Sequence, residues 1–246
     1  MRLLCLNIWG GKLPALLPFI KERSKTTDIF CLQEVFWNGT KKTMFAPDVN
    51  GNVFADIEKI LPEFKGVFTP TQDGEWGLAM FVRKTIPCED VGEVFVLRNR
   101  DAMINDDATT LGQAISHASI EKEGGNLLVG NFHGWWAGVG KGKEDFPERI
   151  EQSKNILKFL RGKPGRKILC GDFNISLDTK SMKMIEEEGM VNLIRKHGVT
   201  STRSHHYGYP NKYADYVLVT PDVKVNKFEV LSDVVSDHLP LVVDFE

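Results

Sequence analysis

The sequence predicts an α/β (α+β) fold built on sheets, and three observations carry that prediction. Short apolar runs bounded by glycine or polar residues recur through the chain, as buried strands do. Several of these runs end on a carboxylate, carboxamide or imidazole, and strand-end loops are where α/β proteins place their chemistry. Between residues 64 and 121 the runs follow one another closely, which predicts antiparallel pairing there.

The run at 166–175, RKILCGDFNI, shows the pattern most fully. Ile168, Leu169 and Cys170 lead to Gly171, which permits a bent or close backbone, and Asp172 and Asn174 follow. Gly-Asp alone is an ordinary turn signal; its recurrence in kind elsewhere gives it weight. The chain opens on a strand-like run at 2–8 with Asn7 at its end, then breaks at Gly10 and Gly11. Residues 13–25 have helical spacing at Leu13, Leu16, Leu17 and Ile20, with Pro14 fitting a first turn and Pro18 kinking or delaying the helix. A strand at 29–32 delivers Gln33 and Glu34. A helix is predicted at 53–61 and strands at 64–69, 77–83, 91–97 and 113–121, with Glu75 just ahead of the second. Residues 98–110, rich in Asn, Asp and Thr, read as a long loop.

The run at 126–132 ends in His133 and passes into GWWAGVGKGK. Its glycines lack the GK[ST] of a phosphate loop. Trp135 and Trp136 therefore either cover the core edge or form an aromatic and basic lid that stacks on substrate. The strongest helix is at 145–161, with Asp145 and Glu148 as a capping box and Pro147 in the first turn. Phe146, Ile150, Leu157 and Leu160 form its apolar stripe, and Gly162 closes it. A further helix is predicted at 181–188. The loop at 200–211 carries Arg203, His205, His206, Tyr207 and Tyr209; its two histidines are expected to point apart, which favours substrate recognition over metal binding. A strand at 213–219 holds Asp215 in its interior, a costly placement unless the carboxylate is paired. After a strand at 223–230, SDHLP places Asp237 and His238 before the last strand at 241–245. No linker, composition shift or repeat divides the chain, which predicts one domain over 1–246.

Composition excludes several classes. With 42% hydrophobic and 26% charged residues the chain is globular. A net charge of −2 argues against broad, non-specific nucleic-acid binding while allowing a local basic groove. No apolar run approaches membrane-span length, and the strand-like run directly after Met1 predicts that no signal peptide is present. Cys5, Cys31, Cys88 and Cys170 are far apart and lack zinc spacing. Three of them lie in apolar strands as small core residues, and a reduced, cytoplasmic protein is expected.

The polar groups at strand ends are Asn7, Glu34, His133, Asp172, Asn174, Asp215, Asp237 and His238. No Ser or Cys nucleophile is among them. Oxygen ligands such as Glu34 and Asp237 suit a hard cation, Mg²⁺ or Mn²⁺. Two histidines beside carboxylates suit proton transfer near neutral pH, and the asparagines can orient water or donate to a phosphoryl oxygen. The set reads as metal-assisted hydrolysis of a phosphoester.

LNIWG, LQE, NFH, GDFN, YADYVLV and SDHLP, in that order, resemble the motifs of the endonuclease/exonuclease/phosphatase superfamily, the deoxyribonuclease I-like proteins. The resemblance implies a four-layer α/β sandwich, two packed, mostly antiparallel sheets flanked by helices. It also implies hydrolysis of a phosphodiester by in-line attack of an activated water. Matched by motif, Glu34 would be the principal metal ligand, with Asn7 and Asp237 near the ion. Asp172 would orient or deprotonate the water, and Asn174 would hold the water or the phosphate. His238, held by Asp215, would contact the scissile phosphate. His133 would protonate the leaving group or bind phosphate, with Glu75 as a loosely aligned partner. Trp135, Trp136, Arg203, Tyr207 and Tyr209 would meet substrate, with Lys141, Lys143 and Lys212 on the same rim. The chain departs from the abasic-site endonucleases at Trp9, where those enzymes carry an Asp, so the second metal-binding carboxylate is weakened. The implied substrate is a nucleic acid, a nucleotide-like molecule or, further off, a phospholipid head group. A phosphomonoesterase and a non-catalytic binding module are the alternatives, and the intact residue set argues against the latter.

Overall fold

In the computed structural model, which describes residues 1–39, 48–121 and 125–246, the apolar runs pair into two six-stranded sheets. In chain order the elements are β1 (Arg2–Asn7), α1 (Leu16–Arg23), β2 (Ile29–Phe36), α2 (Val53–Ile60), β3 (Phe64–Gln72), β4 (Trp76–Arg83), β5 (Cys88–Leu97) and β6 (Gln113–Ile120). There follow β7 (Leu127–His133), α3 (Pro147–Arg161), β8 (Arg166–Asp172), α4 (Lys180–Glu187), β9 (Val191–Asn192), α5 (Leu193–Lys196), β10 (Asp215–Val219), β11 (Val225–Val230) and β12 (Leu241–Phe245). One sheet has the order β11-β12-β1-β2-β4-β3 and the other β5-β6-β7-β8-β10-β9. With helices outside both sheets, this is the four-layer sandwich expected.

Each sheet is antiparallel except for one parallel pair, β1 with β2 and β7 with β8. Parallel neighbours need a crossover, and α1 and α3 supply the two. The pairing has a functional consequence. β1 ends at Asn7, β2 carries Glu34, β7 ends at His133 and β8 ends at Asp172.

The composition of β1 follows from burial on both faces. Leu3 and Cys5 pack between the sheets with Cys31, Val129 and Leu169, while Leu4 and Leu6 pack outward with Leu16, Ile20 and Phe54 of α1 and α2. Cys5, Cys31 and Cys170 are free and buried, and burial pushes their thiols up, so they act as core residues. No helix among the described residues is long and apolar enough to cross a membrane.

The helices depart from expectation in detail. α1 starts at Leu16, so Pro18 falls in the first turn and interrupts no interior hydrogen bond. The capping box at α3 does not form. Phe146 is the N-cap residue and makes no side-chain cap. Asp145 instead accepts from Lys180 N at 2.7 Å and Ser181 N at 2.9 Å, tying the start of α4 to the start of α3. The buried face of α3 is Arg149, Gln152, Ser153, Ile156, Leu157 and Leu160, more polar than the predicted stripe. Its first turns pack beside polar loops, and there Gln152 accepts from Trp135 N at 2.9 Å. The two-residue β9 and four-residue α5 carried no periodicity long enough to read.

Candidate active site

The site is assembled where the two parallel pairs end. In β2 the pairing with β4 slips between Gln33 and Val35, and Glu34 takes a left-handed backbone with φ 57°. Such a bulge re-aims a side chain out of the ladder, and the Glu34 carboxylate turns toward Asn7. Asn7 Nδ2 donates to Glu34 Oε1 at 2.8 Å and to Asp172 Oδ2 at 3.0 Å, joining a carboxylate from each sheet. Asn7 Oδ1 accepts from Trp9 N at 3.0 Å, which fixes the orientation of the amide.

On the second sheet His133 and Asp172 are register partners. His133 Nε2 lies 3.8 Å from Glu34 and 3.9 Å from Asp172, and its ring packs 5.5 Å from Trp76, the residue after Glu75. Asp172 follows Gly171, whose φ is +146° and where a Cβ would overlap the Phe132 carbonyl; only glycine fits. Asn174, also left-handed at φ 54°, donates its backbone N–H to Asp172 Oδ1 at 2.8 Å and its amide to Gly134 O at 3.1 Å.

Asp215 pairs in register with Asp172 and finds the partner its burial demands. His238 Nδ1 lies 2.8 Å from Asp215 Oδ1, and Thr202 Oγ1 donates to Asp215 Oδ2 at 2.8 Å. His238 Nε2 faces Asp172 Oδ2 at 3.5 Å and contacts Arg203 Nη1. Arg203 also pairs with Asp237 at 2.7 Å, lies 3.9 Å from Asp172 and stacks 4.1 Å over Tyr207. Thr202 gave no signal in the sequence, yet it completes the acceptor side of Asp215. Thr202→Val leaves that oxygen one donor short and is expected to lower the unfolding free energy by about 1–3 kcal/mol in urea denaturation.

These contacts fix the charges. Burial pushes the Asp172 carboxyl up, but His238, Arg203, Lys143 and His133 pull it well below the usual carboxylate range. For His238, burial and Arg203 push the imidazole down while Asp215, Asp237 and Asp172 push it up, and the carboxylates win. In the imidazolium, Nε2 and Arg203 Nη1 are both donors in contact, and an anion in front of the pair, accepting from both, relieves their repulsion.

Ligand atoms of Glu34, His133 and Asp172 lie within 4.8 Å of one another, as do those of Asp172, Asp215 and His238. Two carboxylates steered by one amide, with an imidazole beside them, suit a hard divalent cation. Asp237 belongs to neither group, and its carboxylate pairs with Arg203 at 2.7 Å. The tryptophans divide the two roles. Trp135 is buried, donates Nε1–H to Thr109 O at 2.7 Å and packs on Phe146, so it covers the core edge instead of meeting substrate. Trp136 is 39% exposed and lines the cavity. His205 and His206 do not point apart; their rings lie 4.4 Å from each other, and His206 also lines the cavity. That cavity, about 530 Å³, is walled by Glu34, His133, Asp172, Arg203, Tyr207 and His238 among others.

The chain covers known architectures end to end. The mannosyl-6-phosphatase Bt3783 of Bacteroides thetaiotaomicron aligns over 100% of this chain and 99% of its own at 18% identity, with a TM-score of 0.76. The human Nocturnin catalytic domain with bound sulfate aligns over 100% and 93% at 19% identity and a TM-score of 0.71. ANGEL2, a 2′,3′-cyclic phosphatase, aligns over 99% and 94% at 13% identity and a TM-score of 0.71. At these identities the likeness establishes the fold. No curated protein sequence matches the chain. Residues 4–238 do match the sequence profile of the Endonuclease/Exonuclease/phosphatase family. The chain belongs to that family, whose members are hydrolases and in general depend on divalent metal.

Proposed function

We propose that the protein is a divalent-metal-dependent phosphodiesterase acting on a nucleotide-like or single-stranded substrate. The observation that carries this reading is the meeting of the Glu34, His133 and Asp172 ligand atoms within 4.8 Å, beside the His238–Asp215 pair and Arg203. Glu34 and Asp172, with His133 beside them, would hold Mg²⁺ or Mn²⁺, which supplies neutralisation of charge on the phosphoryl and leaving oxygens. Asn7 orients both carboxylates. Asp172, kept ionised, accepts a hydrogen bond from the attacking water and works by orientation more than by basicity. Asn174 aligns Asp172 through its backbone N–H and holds the turn through its amide. His238, oriented by Asp215, and Arg203, oriented by Asp237, donate to the phosphoryl oxygens as charge develops. His133, with Nε2 3.9 Å from Asp172, would protonate the leaving oxygen. Trp136 and Tyr207 offer ring faces for the organic part of the substrate.

With Mg²⁺ or Mn²⁺ the protein is expected to hydrolyse bis-p-nitrophenyl phosphate, and EDTA is expected to abolish that activity. A phosphomonoesterase is the second reading, favoured by the fold shared with a mannosyl-6-phosphatase. It predicts cleavage of p-nitrophenyl phosphate alone, with release of inorganic phosphate. Hydrolysis of neither ester with either metal would overturn both readings.

A further inference from the structure

Past Arg203 the cavity continues into an annex of about 250 Å³, and Trp136, Asn174, Arg203 and Tyr207 stand in the walls of both. Lys141, Lys143 and Arg149 line the annex, and Glu144 is the one carboxylate-bearing residue in its lining. Lys143 is only 6% exposed and Arg149 only 1%. Neither forms an ion pair among the described residues. Lys143 Nζ donates to Tyr213 O at 2.9 Å and lies 5.3 Å from the Tyr207 ring centroid. Arg149 donates to the carbonyls of Gly142 and Glu144, faces the rings of Trp135 and Phe146, and keeps a buried Nε–H without a partner.

Buried cations held by neutral carbonyls are expensive, and the carboxylates that offset them, Asp172 and Asp215 at Lys143 and Glu144 and Asp145 at Arg149, form no ion pair with them. The strain is visible at Lys143, where burial and the Arg203 charge push the ammonium down to about 8. Lys143 adds to the positive field on Asp172, but neither cation pairs with a carboxylate of the hydrolytic site. Its phosphoryl donors are His238 and Arg203, and its anions, Asp172 and Asp237, are already engaged by them. The annex is thus a second positive pole opening from the first. Two cations match the dianion of a phosphate group better than the single charge of a carboxylate. A volume of about 250 Å³ has room for one such group.

We propose that the annex is a second phosphate subsite, so that the preferred substrate is a small phosphoester bearing a second phosphate group. This inference rests on the main cavity being the hydrolytic site. Butane-1,4-bisphosphonate and butylphosphonate test it by calorimetry on the Mg²⁺-loaded chain, since their C–P bonds are not hydrolysed. The bisphosphonate is expected to bind at least about 10-fold more tightly than the monophosphonate. Lys141→Glu is expected to remove that advantage while leaving butylphosphonate affinity within about twofold, and Lys143→Met, whose charge also acts on Asp172, is expected to weaken the bisphosphonate more than butylphosphonate. Equal affinity for the two probes in the wild type would overturn the proposal. So would an equal loss for both probes in Lys143→Met, which would place Lys143 at the scissile phosphate. Should Lys143→Met fail to fold by circular dichroism, Lys141→Glu, at an exposed position, decides the matter. Because the readout is binding, a protein that prefers the bisphosphonate yet hydrolyses neither p-nitrophenyl ester would refute the hydrolase reading alone.

Discussion

Asp172→Asn is expected to lower the turnover of bis-p-nitrophenyl phosphate by roughly 10²–10⁴-fold while the two-sheet fold persists. The amide is nearly isosteric, and its oxygen still accepts from Asn174 N, which holds the turn after β8. What disappears is the negative charge at the one point that His133, His238 and Arg203 all face, at 3.9, 3.5 and 3.9 Å. The new NH₂ also meets the Asn7 Nδ2 donor, so the amide that steers Glu34 loses its second acceptor. Steady-state rates and circular dichroism check both halves, and wild-type turnover in a folded Asp172→Asn protein would remove Asp172 from the mechanism. The charge also links stability to pH. The Asp172 carboxyl is depressed in the folded state, so its stabilisation is present above the unfolded carboxyl range of about 4 and is lost as pH falls below it. The urea-stability gap between wild type and Asp172→Asn is therefore expected to shrink from pH 7 to about pH 3.

The sequence made the strand ends legible because a buried strand must be apolar until it leaves the sheet. A carboxylate or imidazole at such an end is conspicuous, and so Glu34, His133, Asp172 and Asp215 stood out, each at a boundary the structure places within a few residues. Where the reading failed, the deciding interaction was long-range. Asp145 has the spacing of a cap for the helix that follows it, but the start of α4 offers it two backbone donors and a hydroxyl. Trp135 and Trp136 are adjacent and chemically alike; only the backbone direction after β7 sends one into the core and the other into the cavity. The bulge at Glu34 left no mark, because a slip of register belongs to the pairing of two strands and not to either one alone.

The second large effect is expected at Asn131, a residue of β7 that touches none of the reacting groups. Asn131→Leu keeps the γ-branched shape and removes a polar clamp between the sheets. Its Nδ2 donates to Leu32 O and Ala79 O, each at 3.0 Å, and its Oδ1 accepts from Gln33 Nε2 at 2.6 Å. All lie in the interior, so water cannot replace the lost partners. Gln33 Nε2 keeps Cys31 O at 3.2 Å, so the loss is three buried hydrogen bonds at about 1 kcal/mol each, which lowers the unfolding free energy by about 3 kcal/mol, a large share of the 5–15 kcal/mol typical of a folded protein. The loss falls on the bulge itself. Gln33 immediately precedes Glu34, and the clamp holds that segment of β2 against the strand that ends in His133. Metal affinity measured by Mn²⁺ titration is accordingly expected to drop along with stability. Ser116→Ala provides the comparison, since Ser116 accepts from Thr69 Oγ1 at 2.8 Å across the same two sheets but outside the cavity lining. It is expected to cost about 1 kcal/mol and to leave Mn²⁺ binding unchanged. If Asn131→Leu instead stays within about 0.5 kcal/mol of wild type in urea, the polar clamp does not hold the sheets in register, and packing alone aligns Glu34 with Asp172.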